Sequence, residues 1–165
     1  MKRTVKKGFT LVEILIVVII LGILAAIVIP QFTEASGQAR ISSLMTNLQT
    51  IRSQLLLYKT QHSDVYPGST ADATVFGKEL TTYSNIAGVT VATPDTAHTF
   101  GPYLQTVPAN PVSNINTVTV VNNATTAFAA PTTDGGWWFN MATGEFRANL
   151  TTAHTADDGT LLNSL

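Results

Sequence analysis

The sequence predicts an α+β protein in which a long N-terminal helix, a transmembrane half followed by an amphipathic half, packs on a small antiparallel β-sheet. Three observations predict it. Residues 9–29 form a nearly unbroken apolar run. Ile41, Leu44, Leu48, Ile51, Leu55 and Tyr58 then recur at alternating spacings of three and four, one face of an α-helix. Near the other end, residues 136–139 and 145–148 are aromatic-rich runs on either side of a short loop containing Gly144.

The apolar run, FTLVEILIVVIILGILAAIVI, gives roughly 30 Å of helix at ~1.5 Å per residue, enough to cross a bilayer. Its many Ile and Val residues favour strands in water, but in lipid only an internally hydrogen-bonded helix satisfies the backbone. Glu13 lies inside the run. A carboxylate at that depth costs at least ~2.5 kcal/mol on insertion scales. Either Glu13 stays near the membrane surface and partly hydrated, or it awaits a cation on another molecule. Lys2, Arg3, Lys6 and Lys7 precede the run, so the positive-inside rule keeps that end cytoplasmic. A secretory signal would place its small-residue cleavage site after the apolar run; here the conspicuous small residue, Gly8, stands before it.

The string Lys7-Gly8-Phe9-Thr10-Leu11-Val12-Glu13, with its basic leader and an apolar run ending at Pro30, resembles the leader of type IV pilins and type II secretion pseudopilins. The resemblance implies that a membrane prepilin peptidase removes residues 1–8, cutting between Gly8 and Phe9, and methylates the new N-terminal Phe9. It implies that residues 9–30 are kept as the transmembrane and assembly helix, with Glu13 setting register between subunits. Gly22 and Pro30 are the soft points at which such a helix kinks. Residues 39–68, with Ala39-Arg40 early and Tyr66-Pro67 late, resemble the G-type major pseudopilin. The expected partners are the processing peptidase and methyltransferase, copies of the chain and other pilin-like subunits, an inner-membrane assembly platform with its ATPase, and lipid.

After the anchor, residues 31–68 read as the amphipathic helix of an exported domain, ended by Asp64, Pro67 and Gly68. Its apolar stripe is either the core-facing side or a seam for a partner helix. Residues 69–115 read as a variable loop region. Within it, 76–83 suit a short helix and 88–92 an extended piece, and 101–111 form a turn and a Pro-punctuated loop. The Tyr103-Leu104 pair ahead of Pro108-Ala109-Asn110-Pro111 is similar to the entry of pseudopilins into their sheet. It departs from that pattern at Asn110, where the family has an acidic residue, and at Val112-Ser113, where it has Trp-Gly.

Residues 116–150 are assigned to the sheet. NTVTVVN is a strand by β-branched content, and 136–148 form a hairpin with a five-residue loop. Trp137, Trp138, Phe139 and Phe146 are read as alternate core plugs, with ligand stacking as the other reading. The tail, 151–165, is polar and expected to be loose apart from a turn at Leu161-Leu162.

The chain has 165 residues, of which 12% are charged, and no cysteine, so neither disulfides nor zinc-thiolate sites are available. Loss of residues 1–8 would leave five basic against ten acidic residues, which argues against nucleic acid as a partner. There is no phosphate loop and no Ser-His-Asp pattern, so the chain is not expected to be an enzyme. His62, His98 and His154 are scattered and expected at the surface. No cofactor is expected. Calcium is the one metal the resemblance raises, with Asp134, Asp157 and Asp158 as its weak candidates.

The function expected is therefore a structural subunit of a secretion pseudopilus or type IV pilus-like filament, supporting protein export. Its expected place is the bacterial inner membrane, single-pass with a cytoplasmic leader, and then a periplasmic or extracellular filament. The alternative is an adhesive or DNA-uptake pilin that uses the aromatic hairpin as its contact.

Overall fold

A computed structural model describes residues 8–68, 70–125 and 127–165; the basic leader residues Lys2, Arg3, Lys6 and Lys7 lie outside them. Helix α1, Leu11–Gln61, carries both the apolar run and the amphipathic stripe. The ladder continues through Pro30, which has no N–H to give to the carbonyl four residues earlier. The chain divides into two compact units, one ending at Ala39 and one comprising Arg40–Leu165.

In the first unit the apolar side chains have no protein cover. Residues from Leu11 to Ile29 such as Ile16, Ile20 and Leu24 are each about half exposed, on every face of the helix. A window of this helix has mean hydropathy 3.3, long and apolar enough to cross a membrane.

In the second unit the stripe turns inward. Leu44, Leu48, Ile51, Leu55 and Tyr58 are buried, and Ile41 packs at the edge of the same cluster. The helix therefore uses the stripe for its own core. On its outer side Thr46, Thr50, Ser53 and Thr60 each donate their hydroxyl to the carbonyl four residues back. The helix ends at Gln61, before the expected Asp64–Gly68 signals. Ser63 (φ 53) and Asp64 (φ 67) turn left-handed, and the Asp64 amide caps the Lys59 carbonyl at 3.0 Å.

Helix α2, Ala73–Thr81, starts three residues earlier than the expected 76–83, because Asp72 caps it: its Oδ1 accepts from the amides of Thr74 and Val75 at 2.6 and 3.3 Å. Phe76 and Leu80, one turn apart, enter the core. Strands β1 (Tyr83–Ser84) and β2 (Thr90–Val91) make a small antiparallel pair, so the expected loop region holds ordered elements.

The main sheet has the order β3 (Val118–Val121), β4 (Trp137–Asn140), β5 (Glu145–Ala148). The β4–β5 hairpin is antiparallel as expected, with Phe139 opposite Phe146. Its loop is four residues, Met141 to Gly144, and Gly144 takes φ +79. Strand β3 instead runs parallel to β4, with Val118 opposite Trp137. The intervening residues 122–136 are long enough for the return that parallel pairing needs. Trp137, Phe139 and Phe146 are buried against the helix stripe, and Trp138, on the other face, meets Phe128 edge-on at 5.3 Å.

The tail is not loose. Asn163 is buried and donates to the Leu150 carbonyl at 2.9 Å, Thr155 bridges Leu161, and Leu162 is buried above a 3-10 turn, Leu162–Ser164. Arg52 of α1 reaches the carbonyls of Phe146 at 2.7 Å and Leu165 at 2.5 Å. One guanidinium thus ties helix, hairpin and tail together.

Candidate assembly helix and second unit

Gly8, Phe9 and Thr10 precede the helix in non-helical backbone, and Phe9 is 86% exposed. The junction is therefore open to another molecule. A Cβ built on Gly8 would meet nothing within 4 Å, so the packing of the described residues does not demand glycine there.

Glu13 has a role that neither sequence reading contained. Its Oε2 accepts the Thr10 amide at 2.8 Å and the Thr10 hydroxyl at 2.7 Å, while the Glu13 amide donates to Thr10 Oγ1 at 3.2 Å. This is a reciprocal capping box, which satisfies free donors of the first turn and places a negative charge at the positive end of the helix dipole. Its signal, Thr-x-x-Glu from Thr10 to Glu13, was legible in the sequence. Both Thr10 contacts fall on Oε2, so among the described residues Oε1 is left for another partner. Gly22 sits in continuous helix, and a Cβ there would also meet nothing within 4 Å.

In the second unit the calcium candidates do not converge. Asp134 accepts the Thr151 amide at 2.9 Å and pairs with His154 at 2.7 Å; these hold its carboxyl below the ordinary carboxylate range. Asp158 receives the Thr160 amide at 2.9 Å in a local turn. Among the described residues no group of three or more His, Cys, Asp or Glu is placed to hold a metal ion.

The histidines differ from expectation. His62 is buried, stacks on Tyr58 with ring centroids 3.7 Å apart, and bonds the Tyr58 carbonyl and Ser84 Oγ at 2.8 and 2.9 Å. His154 is half-buried by its pairing with Asp134. His98 is held by Asp95 at 2.8 Å and is mostly covered. Asn110, where the chain departs from the pseudopilin pattern, is fully buried. It donates to the Gly136 carbonyl at 2.9 Å and accepts the Val112 amide at 3.0 Å. Trp137 Nε1 donates to the Pro108 carbonyl at 2.8 Å, so the Pro-punctuated loop is pinned to the sheet without a charge.

Glu79 is the buried acid of this unit, 3% exposed. It accepts the Gly68 amide at 2.5 Å. Burial raises its carboxyl above the ordinary value, opposed by the Gly68 amide and the Tyr58 hydroxyl. A carboxyl whose folded pKa lies above its unfolded one stabilises most below the unfolded pKa. That contribution is lost as pH rises through the folded value. Gln can keep both contacts. The stability of Glu79→Gln relative to wild type should therefore rise as pH increases from about 4 through the weakly acidic range. Chemical denaturation of the full chain in micelles, followed on buried Trp137, checks this; a difference that is flat or falling with pH contradicts it.

Comparison with known proteins agrees with the geometry of the first helix. Residues 3–29 match the prokaryotic N-terminal methylation motif. The chain is 41% identical over 69 residues to a type II secretion system core protein G of Pseudomonas aeruginosa, covering 42% of this chain and 48% of that protein. It is 35% identical over 73 residues to a fimbrial protein of Neisseria meningitidis, covering 44% of this chain and 42% of that one. The type IV major pilin protein PilE of Neisseria gonorrhoeae is 30% identical over 97 residues, covering 55% and 58%. The chain thus spans about half the length of the curated relatives it matches. No solved structure matches. Over its N-terminal region the chain is similar to pilins and pseudopilins and carries the methylation motif. The G-type pseudopilin resemblance read from the sequence stands.

Proposed function

We propose that this chain is a structural subunit of a type II secretion pseudopilus or a closely similar filament, made in the bacterial inner membrane and supporting protein export. A prepilin peptidase cuts between Gly8 and Phe9 and methylates Phe9. The retained helix then joins the helices of other copies and pilin-like subunits, driven by an assembly platform and its ATPase. The observation that carries this reading is the methylation motif running straight into a helix whose apolar side chains are exposed on every face. Glu13 Oε1 is the acceptor for the Phe9 amine of a neighbouring copy, and Gly22 and Pro30 are where the helix yields during packing. The chain performs no reaction; it is the substrate of its processing enzyme. An adhesive reading finds less support, because the hairpin aromatics Trp137, Phe139 and Phe146 are buried and Trp138 is 6% exposed.

Gly8→Val tests the processing step. The structure leaves open space at this position, so folding and insertion should be unchanged. The expected result is accumulation of full-length precursor in the membrane and loss of the mature form, read by intact mass. Normal maturation of Gly8→Val would remove the peptidase from the account.

A further inference from the structure

A cavity of about 310 Å³ opens between the end of α1, helix α2 and the turn at residues 85–89, wholly within the second unit. Its floor holds the Glu79 carboxylate and the Tyr58 hydroxyl. Both border the same cavity, and Gly88 packs closely beside them: a Cβ there would lie 3.0 Å from Glu79 Oε1 and 3.1 Å from the Tyr58 oxygen, so at φ +79 glycine is the residue that fits. The rim is fixed rather than collapsed: Asn85 Oδ1 accepts the amides of Ala87 and Val89, both at 3.0 Å. Val65 and Ile86, 50% and 60% exposed, give it an apolar lip. The Tyr66 ring forms a wall and already takes a cation on its face, with Lys59 Nζ 4.8 Å from its centroid.

A buried carboxylate ordinarily has a cation beside it. Among the described residues none pairs with Glu79; Lys59, the cation at the Tyr66 face, pairs with Asp64 at 3.4 Å. The metal alternative lacks ligands: among the described residues no group of three or more His, Cys, Asp or Glu includes Glu79. One carboxylate, one phenol oxygen, aromatic walls and an apolar lip fit a monovalent organic cation with a short alkyl chain. We propose that this cavity binds an alkylammonium group, with the Glu79 carboxylate as counter-ion, the Tyr58 hydroxyl as second polar contact, and Tyr66, Val65 and Ile86 around the alkyl chain. The group comes from a free amine or from a lysyl side chain of another polypeptide. The site is independent of the leader and of filament assembly.

The test is titration of the full chain in nonionic micelles, read by NMR at the Gly68 and Gly88 amides. The probes are n-butylammonium chloride, n-butanol, and a tripeptide with a central lysine and blocked ends. We expect saturable shifts with n-butylammonium and at least about tenfold weaker binding of n-butanol. Glu79→Gln should weaken n-butylammonium by at least about tenfold. Ala87→Trp, which plugs the exposed mouth and leaves Glu79 in place, should abolish binding and decides the matter where Glu79→Gln does not fold. Peptide binding as tight as n-butylammonium assigns the site to a lysyl side chain, and exclusion of the peptide assigns it to a free amine. No saturable shift in the wild type, equal binding of n-butanol, or full binding by a folded Glu79→Gln overturns the proposal.

Discussion

Glu13→Gln should reduce filament yield by about tenfold or more while membrane insertion, processing and the second unit stay intact. Gln at this position still completes a capping box with Thr10, so the start of the helix keeps its local hydrogen bonds. What the substitution removes is the charge. In a filament the Phe9 amine of a neighbouring copy would then sit in low dielectric without its counter-ion. Breaking a buried ion pair on one side costs roughly 3–5 kcal/mol, and each ~1.4 kcal/mol is tenfold in an equilibrium. The check is membrane level against sheared-filament yield for both proteins in the same host. Wild-type yield from Glu13→Gln would reduce Glu13 to a helix cap, since the capping box alone explains its presence at this depth.

Leu48→Ala should destabilise the second unit by about 2–5 kcal/mol, the range for deleting a well-packed Leu from a core. Leu48 is 1% exposed, in one cluster with Ile51, Leu55, Trp137 and Phe146. Urea unfolding of residues 31–165, followed by tryptophan fluorescence, measures it. A loss below about 0.5 kcal/mol would mean that the site faces outward, and the stripe would then be a seam between subunits.

The elements that were legible in the sequence are those whose signal is local and periodic. The three-four stripe from Ile41 to Tyr58 needs only a helix to become a face, and every member met the core or its edge. The hairpin was marked by Gly144, whose φ of +79 suits glycine, between two aromatic runs. What was missed depends on partners distant in sequence. Arg52 has no local signature beyond being polar, yet its two carbonyl partners are those of Phe146 and Leu165. The tail is polar, and its order comes from Asn163 reaching Leu150 and His154 reaching Asp134, neither of which has a periodic signature. His62 is buried because Ser84 and the Tyr58 ring meet it there. The direction of β3 follows from the path of residues 122–136, which composition does not encode. The capping box at Thr10 and Glu13 is the exception: its Thr-x-x-Glu signal is local, but it is masked by the charge of Glu13 inside an apolar run.

The central claim is that the motif at residues 3–29 makes this chain a processed filament subunit. Intact-mass analysis of the chain recovered from sheared filaments of its native host tests it most directly. The account predicts a polypeptide beginning at N-methylated Phe9 and retaining the whole apolar helix. A chain that begins at Met1, or anywhere after Ile29, or that never enters the sheared fraction, contradicts it.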